Sequence, residues 1–271
     1  MKKGHSGQKF KFDILLIFKM LDDIQNGINQ KETIAIENGL GDNKVGSYIE
    51  YLNKVDCINK DMDGSYILTH YGKTVNTIKH SYSFVEPLLL YKLCRGEGNG
   101  GHLYFSILVN FILNDIAFKI DNKTTLSDIE DVFQLKFPDI KVVNRLELLR
   151  QALNQGLCDT TTGFGKMGMV IQKDGQYEIT GYIPHKLITA YILYDNWPEG
   201  RAALKMDEIV TMDYFPCKIF FMSQDLFMGQ IYELAEDRML YIEKEAGLNQ
   251  IRLAPNWNSE KILDRIVEIC Q

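Results

Sequence analysis

The spacing of apolar side chains over the first 80 residues predicts four helices and one hairpin. Four segments have helical spacing: 12–25, 30–38, 42–54 and 70–80. Asp42 or Asn43 is expected to cap the third helix, because an Asx side chain can accept the free N–H groups there. The turn sequence 61–64 separates two extended runs, as in a β-hairpin. The order helix, helix, tight turn, helix, hairpin is that of a winged helix-turn-helix.

A similar layout recurs twice further along the chain. Each copy predicts helices followed by two extended runs, with turns at Asp174-Gly175 and Ala246-Gly247. The predicted fold class is therefore mostly α with short β-hairpins (α+β), with two or three winged-helix-like units. Three domains are predicted: an N-terminal winged helix-turn-helix over 1–82, a helical segment with a second unit over 83–197, and a third unit over 198–271. The alternative is one winged helix attached to a helical α+β body.

The apolar positions of the first domain predict a single buried cluster. Its expected members come from the first and third helices and from the hairpin: Phe12, Leu15, Leu16, Ile49, Leu52, Ile67 and Leu68. If these side chains pack together, they form the core on which the predicted helix-turn-helix depends.

Composition and charge narrow the class of protein. With 271 residues, 45% hydrophobic and 24% charged, the chain is an ordinary globular protein. A net charge of −6 excludes a protein that coats nucleic acid by bulk charge. The charge is +1 over 1–80 and −5 over 198–271, so an anionic partner is expected at the N-terminal third. No run approaches the ~20 apolar residues of a membrane span, and the five cysteines contain no Cys-x-x-Cys pair. We therefore expect a soluble cytoplasmic protein with no membrane partner.

The sequence contains no arrangement typical of an enzyme. Its five histidines have no metal-ligand spacing, and it lacks a Gly-x-Ser-x-Gly elbow. The glycine-rich run 95–101 lacks the Lys-Ser/Thr of a phosphate-binding loop and is interpreted as a connection between helices. The run 163–168 is interpreted as a hairpin tip, although its aromatic and lysine could contact nucleic acid. We therefore expect no catalytic residue, no metal and no cofactor.

Candidate DNA contacts lie in two places in the predicted first domain. The N-terminal arm carries Lys2, Lys3 and Lys9, which could contact the duplex backbone. The third helix is expected to present polar and basic side chains to solvent: Asn43, Lys44, Ser47, Tyr51 and Lys54. Asp42 and Glu50 are acidic neighbours on the same helix. A disordered solubilising arm, and a winged helix that contacts protein, remain as alternatives.

Three short motifs resemble a bacterial family known as a domain of unknown function. They are Gly4-His5 before the first helix, the run Gly-Leu-Gly-Asp-Asn-Lys-Val at 39–45, and Ala246-Gly247 followed by Gln250-Ile251. Members of that family are encoded beside sulfurtransferase-like enzymes related to phosphoadenosine-phosphosulfate reductase, in DNA-phosphorothioation and other phage-defence islands. The resemblance implies a similar setting for this chain and implies no catalytic residue.

These observations together favour a non-enzymatic winged-helix protein that binds or senses double-stranded DNA as an accessory of a DNA-modification or phage-defence system. Its protein partner would be a sulfurtransferase-like or other defence-system subunit. One alternative is a protein–protein adaptor that docks a modification enzyme, and a further alternative is a nuclease.

Overall fold

The computed structural model describes residues 10–95, 102–119, 121–138, 145–244 and 249–271. It is mostly helical, with 57% of the chain in helices. The strands of the described residues form small sheets of two or three strands, and all their pairings are antiparallel. The predicted α+β class is therefore confirmed. Within the described residues, no helix has the length and apolar character needed to cross a membrane.

The first unit (residues 10–80) contains four helices and one hairpin. Its elements are α1 (Ile14–Gln25), α2 (Lys31–Glu37), α3 (Asp42–Lys54), β1 (Ile58–Lys60), β2 (Tyr66–Leu68) and α4 (His70–Thr77). The hairpin forms where predicted, and the Asp61 carboxylate accepts the backbone N–H of Ser65 at 2.8 Å. The backbone N–H of Tyr66 donates to the carbonyl of Asn29 at 2.8 Å. The segment before α2 therefore borders the second strand of the hairpin.

The second unit (residues 102–183) follows α5 (Tyr82–Cys94), a helix whose residues from Phe84 to Cys94 are all buried. Its elements are α6 (Leu103–Ile107), a π-helical turn (Leu108–Leu113), α7 (Asn114–Ala117), β3 (Lys123–Thr125), α8 (Leu126–Lys136), α9 (Arg145–Arg150), a second π-helical stretch (Gln151–Leu157), a 3₁₀ turn (Gly165–Met167), β4 (Val170–Lys173) and β5 (Gln176–Ile179). The strand order is β3-β5-β4. The predicted hairpin at Asp174-Gly175 is confirmed.

The third unit (residues 186–253) ends in a hairpin and is followed by a long C-terminal helix. Its elements are α10 (Lys186–Asp195), β6 (Leu204–Lys205), α11 (Met206–Thr211), α12 (Pro216–Ile219), α13 (Gln224–Glu236), β7 (Leu240–Glu243) and β8 (Gln250–Leu253), and the last helix is α14 (Ser259–Cys270). The strand order is β6-β8-β7. Strands β7 and β8 pair as predicted, while the turn at Ala246-Gly247 lies outside the described residues.

The second and third units share one topology. A helix leads to a short strand, a second helix starts directly after it, a third helical segment follows, and a hairpin closes the unit. In both units the short strand pairs with the second strand of the hairpin. The first unit has the same order, with the Asn29–Tyr66 hydrogen bond in place of the strand. The predicted domain boundaries remain predictions, and α10 (Lys186–Asp195), which opens the third unit, falls inside the predicted second domain.

The predicted cluster of the first unit is correct only in part. Three of its members are fully or nearly buried: Phe12, Ile49 and Leu52. Leu16 and Leu68 are partly buried against the core. Leu15 and Ile67 are 47% and 45% exposed, so their prediction was wrong. They lie on the solvent side of α1 and β2, because the core contacts of these elements are made by neighbouring residues such as Ile14 and Tyr66.

Candidate nucleic-acid interface and a buried charge network

Helix α3 begins at Asp42, so neither Asp42 nor Asn43 can be its N-cap residue. Gly41 occupies the N-cap position and makes no side-chain cap hydrogen bond, so the expectation that Asp42 or Asn43 caps the helix was wrong. Asp42 lies in the first turn instead, where a carboxylate is favourable to the helix dipole. The Lys31 ammonium of α2 lies 2.6 Å from the Asp42 carboxylate and links the two helices.

Two of the predicted DNA contacts on α3 face the protein interior. Ser47 is 2% exposed, and its hydroxyl donates to the carbonyl of Asn43 at 3.0 Å. Tyr51 is 5% exposed, donates to the carbonyl of Phe10 at 2.9 Å, and stacks on the His102 ring with centroids 5.4 Å apart. The prediction that these two side chains point at a duplex was wrong. The segment before α1 and the start of α6 pack on the side of α3 that the sequence pattern assigned to solvent.

The accessible polar side chains of α3 lie mainly at its two ends. Asn43 is exposed and Lys44 is half-buried, and both remain on the surface at the start of the helix. Lys54, at the other end, is also half-buried, and its ammonium lies 3.9 Å from the Glu50 carboxylate. Lys2, Lys3 and Lys9 lie outside the described residues. Of the predicted helix contacts, Asn43 and Lys44 therefore keep the exposure that a DNA contact needs.

The hairpin of the first unit carries a basic residue that sequence reasoning missed. Lys60 is exposed on β1, and its ammonium lies 5.1 Å from the centroid of the Tyr66 ring on β2. In the described residues, neither Lys44 nor Lys60 has a carboxylate within salt-bridge distance. Alternation along β1 would place Lys60 on the same face as the buried Ile58, but Asn59 and Lys60 are both exposed, so the strand pattern could not have identified Lys60.

The run at 163–168 packs into the protein and does not form a free tip. Phe164 is 1% exposed and stacks on Phe12 with ring centroids 5.0 Å apart. The Lys166 ammonium lies 4.4 Å from the centroid of the Tyr82 ring. Phe164 is therefore part of the contact between the first and second units and cannot stack on a base.

A network of buried charges joins α5 to the first unit and to α10. The ammonium of Lys92, which is 2% exposed, lies 2.7 Å from the Asp195 carboxylate and 3.1 Å from that of Asp56. The Arg95 guanidinium lies 2.6 Å from Asp56 and 3.6 Å from Asp195. Asp56 follows the end of α3 with φ +56°, a left-handed backbone conformation that turns the chain into the hairpin. The sequence does not reveal this network, because Lys92 and Asp195 are 103 residues apart.

Three tyrosine rings surround the Lys92 ammonium. The ring centroids of Tyr71, Tyr91 and Tyr191 lie 5.1, 5.4 and 5.2 Å from the nitrogen, within cation–π range. Burial raises the pKa of each of these phenols well above its ordinary value, so all three stay neutral. The arrangement stabilises a positively charged nitrogen by carboxylates on one side and aromatic faces on the others.

The carboxyl group of Asp195 is held in its charged form. Burial by itself would raise its pKa, but the charge of Lys92, hydrogen bonds from Lys92 and Tyr91, and the charge of Arg95 together lower it. Tyr91 donates its hydroxyl to Asp195 at 2.7 Å. Burial by itself would lower the pKa of Arg95, but its electrostatic interactions with Asp56, Tyr91 and Asp195 and its hydrogen bond to Asp56 together raise it. The network is therefore a set of paired charges at neutral pH.

No family model matches this chain, and no curated protein matches it. Two solved structures share its fold. The crystal structure of SspB matches with a TM-score of 0.72 at 13% identity, over 100% of this chain and 89% of the other. A magnesium ion-bound crystal structure of SspB matches with a TM-score of 0.71 at 12% identity, over the same shares of the two chains. At this identity the likeness shows the fold alone.

The part of the chain that the structure describes has no group of three or more His, Cys, Asp or Glu side chains that could hold a metal ion. Asp56 and Asp195 both contact the Lys92 ammonium.

Proposed function

We propose that this protein is a non-enzymatic, winged-helix DNA-binding or DNA-sensing accessory protein of a bacterial DNA-modification or phage-defence system. The observation that carries the proposal is the repeated topology. Helix, strand, helix, helix and hairpin, with the first strand paired to the second hairpin strand, is the order of a winged helix-turn-helix. Such units place a helix in the major groove of a duplex.

The proposed biological setting has two sources of support. The short motifs at both ends of the sequence resemble a family encoded in DNA-phosphorothioation and phage-defence islands. The fold shared with SspB fits such a DNA-modification or defence role at the coarse level. A sulfurtransferase-like or other defence-system subunit is the protein partner that this setting favours.

The proposed DNA contacts of the first unit are the basic and polar residues that remain accessible, Asn43 and Lys44 on α3 and Lys60 on the hairpin. The arm residues Lys2, Lys3 and Lys9, which lie outside the described residues, are proposed from the sequence. Ser47 and Tyr51 are excluded because they are buried, and Lys54 because it is close to Glu50. Glu50 on the same helix repels phosphate, so we expect modest affinity that rises when a partner subunit adds contacts.

The test is duplex binding by fluorescence anisotropy over a salt series, with and without a purified sulfurtransferase-like subunit. Each lost phosphate contact lowers the slope of log affinity against log salt by about 0.9. The Lys44→Ala/Lys60→Ala variant should therefore lose about two units of slope. Lys205→Ala is the matched control, since Lys205 is an exposed strand lysine of the acidic third unit. Absence of binding at low salt with the subunit present, or an unchanged slope in the double variant, would overturn the proposal.

A protein–protein adaptor is the second candidate, and helix α13 favours it. This helix corresponds to α3 in the repeated topology, but it carries three carboxylates and no basic residue, a charge of −3. Leu226 and Tyr232 are 45% and 43% exposed on the same helix. Phosphate is repelled from such a surface, whereas a protein with basic and apolar side chains is attracted to it.

The adaptor function predicts a complex that depends on α13. Leu226→Lys should weaken binding to the sulfurtransferase-like subunit at least about tenfold in calorimetry, because it places a charge in an apolar contact. Leu135→Lys is the control, since Leu135 is 81% exposed on α8 of the second unit. Equal affinity of the two variants would count against an adaptor surface on α13 and would leave the DNA proposal unaffected.

A further inference from the structure

Helix α13 (Gln224–Glu236) exposes one continuous side along its whole length. Its buried side chains pack towards α10 and β7. The exposed residues recur at steps of three or four positions and therefore share the opposite side of the helix. These residues form the outer face of α13: Asp225, Leu226, Gly229, Tyr232, Glu233 and Glu236. Gly229 lies at the centre of this face.

The described fold contains no contact that requires glycine at position 229. Glycine in a helix interior is less stable than alanine, so it is expected where a side chain would clash. At Gly72 of α4 a Cβ would lie 1.9 Å from the Cys57 carbonyl oxygen. At Gly156 of the second π-helical stretch it would lie 2.4 Å from Cζ of Phe105. A Cβ at Gly229 would have no described atom within 4 Å, and its φ is not positive.

The missing side chain leaves a notch between two partly exposed apolar residues. Leu226 and Tyr232 lie three positions before and after Gly229, and they are 45% and 43% exposed. The Lys244 ammonium, just after β7, lies 4.9 Å from the centroid of the Tyr232 ring and borders the face. The distance between two packed helices depends on the side chains at their contact, so a second helix can approach most closely at a glycine. The outer face therefore has a low centre and apolar flanks, as a helix-docking surface requires.

The unpaired charges of the outer face are negative. Asp225 and Glu236 form no salt bridge with a described residue. The third carboxylate of the helix, Glu233, lies 3.5 Å from the Lys186 ammonium of α10. Lysine or arginine opposite Asp225 and Glu236 would be attracted, whereas DNA phosphate or a second copy of the same face would be repelled. Charge therefore selects a basic protein segment as the occupant.

We propose that the outer face of α13 docks a basic helix of the partner subunit, and that the main chain of that helix comes closest to α13 at Gly229. The proposal rests on the adaptor function proposed above, and it names the kind of segment that the adaptor binds. Lysine or arginine side chains of the docked helix pair with Asp225 and Glu236, and its apolar side chains pack against Leu226 and Tyr232. Glycine at position 229 is then needed for the complex and not for the free fold.

The experiment measures two quantities for each variant of the whole chain: its affinity for the purified sulfurtransferase-like subunit by calorimetry, and its own melting temperature. Gly229→Ala should weaken the complex about fivefold or more, because a methyl group overfills a close contact. It should also raise the melting temperature of the free protein by about 2–4 °C, because alanine favours the helix. Gly229→Leu should weaken the complex further. A glycine that matters only to the free fold cannot produce these opposite effects.

Matched controls separate the face from general effects of the same substitutions. Gly46→Ala, inside α3, places a Cβ at an ordinary contact distance of 3.9 Å from the Lys31 side chain. It should leave the affinity for the subunit unchanged and should not lower the melting temperature. Glu236→Gln should weaken the complex and reduce its dependence on salt. Glu37→Gln, which likewise changes the last residue of an exposed helix end, should do neither.

The outcomes separate the failure of this proposal from that of the adaptor function. A complex whose affinity is the same in wild type, Gly229→Ala and Gly229→Leu overturns the close approach and leaves the adaptor function in place. Absence of any complex overturns both. Sedimentation velocity of the protein alone tests the other occupant, because self-association that Gly229→Leu abolishes would assign the face to a second copy and overturn the proposal. DNA binding is measured separately by anisotropy and does not depend on these results.

Discussion

Replacing Lys92 with methionine removes the only ammonium that Asp195 contacts within 3 Å in the described residues. At 2.7 Å and an effective dielectric constant of about 20, the gross attraction of this pair is about 6 kcal/mol. Much of that attraction is offset by the desolvation of the two charges. The loss of stability in Lys92→Met therefore depends mainly on the Asp195 carboxylate that is left buried without its ammonium partner. Loss of one partner of a buried pair typically costs about 3–5 kcal/mol. Arg95, 3.6 Å from Asp195, retains part of the attraction, so we expect about 3 kcal/mol.

The measurement is urea unfolding followed by circular dichroism. With a slope of about 2–3 kcal/mol per molar urea, a loss of 3 kcal/mol lowers the midpoint by about 1 M or more. Lys186→Met is the matched control, because Lys186 lies at the same distance, 2.7 Å, from Asp237, but both side chains are accessible to solvent. An accessible pair contributes about 0–1 kcal/mol. The two variants therefore separate the effect of burial from that of distance.

A second variant tests the physical reason for the loss. Lys92→Met combined with Asp195→Asn removes the uncompensated charge, so the double variant should be more stable than the sum of the single effects predicts. Strict additivity, or a cost of less than about 1 kcal/mol for Lys92→Met, would refute the argument that the buried carboxylate requires this ammonium.

Three further predictions concern the core, a close backbone contact and pH. Leu52→Ala should lower the free energy of unfolding by about 2–5 kcal/mol, because Leu52 is fully buried. Leu15→Ala, at a 47% exposed position, should lower it by under about 1 kcal/mol. Equal losses in chemical unfolding would contradict the observed core. Gly72→Ala should lower the melting temperature despite the better helix propensity of alanine, because its Cβ would lie 1.9 Å from the Cys57 carbonyl oxygen. An unchanged melting temperature would show that the backbone can move to relieve this contact at no cost in stability. Burial raises the pKa of Glu86 to about 7, so the folded state binds a proton that the unfolded state releases, and stability should fall as pH rises from about 4.5 to 7. Glu86→Gln should reduce the change in the free energy of unfolding between pH 4.5 and 7 by up to about 3 kcal/mol, measured by unfolding at several pH values. An unchanged pH profile would show that other groups cause the dependence.

Local elements of this protein follow from short-range sequence signals. Turn residues between extended runs located the hairpins at 61–64 and 174–175, and apolar spacing located the four helices of the first unit. These signals act over a few residues, where backbone preferences and side-chain periodicity are sufficient. The weak repeat in the sequence also corresponds to a repeated topology in the fold.

The exposure of a candidate DNA contact could be predicted from the sequence only where no residue distant in the chain packs on its side chain. Periodicity indicates which side of α3 is apolar, but it does not indicate how many elements pack around the helix. Tyr51 is buried because the segment before α1 and the start of α6 contact it, and the Ser47 hydroxyl bonds to the carbonyl of Asn43 within the helix. Lys44 is half-buried and Lys60 is exposed, although strand alternation from the buried Ile58 would have placed Lys60 on the inner face.

The sequence by itself indicated the helices of the first unit, the hairpins and the α+β class, because each depends on contacts between residues close in the chain; the C-terminal helix α14 was not predicted. Only the tertiary structure decided which polar residues meet. Lys92 contacts Asp195 across 103 positions, and Arg95 contacts Asp56 across 39. No local sequence pattern links residues so far apart, and each of the four has the sequence neighbourhood of an ordinary charged residue. The packing of α5 against the first unit and α10 buries Lys92 and most of Arg95 and Asp195, and that burial makes their pairing a property of the fold.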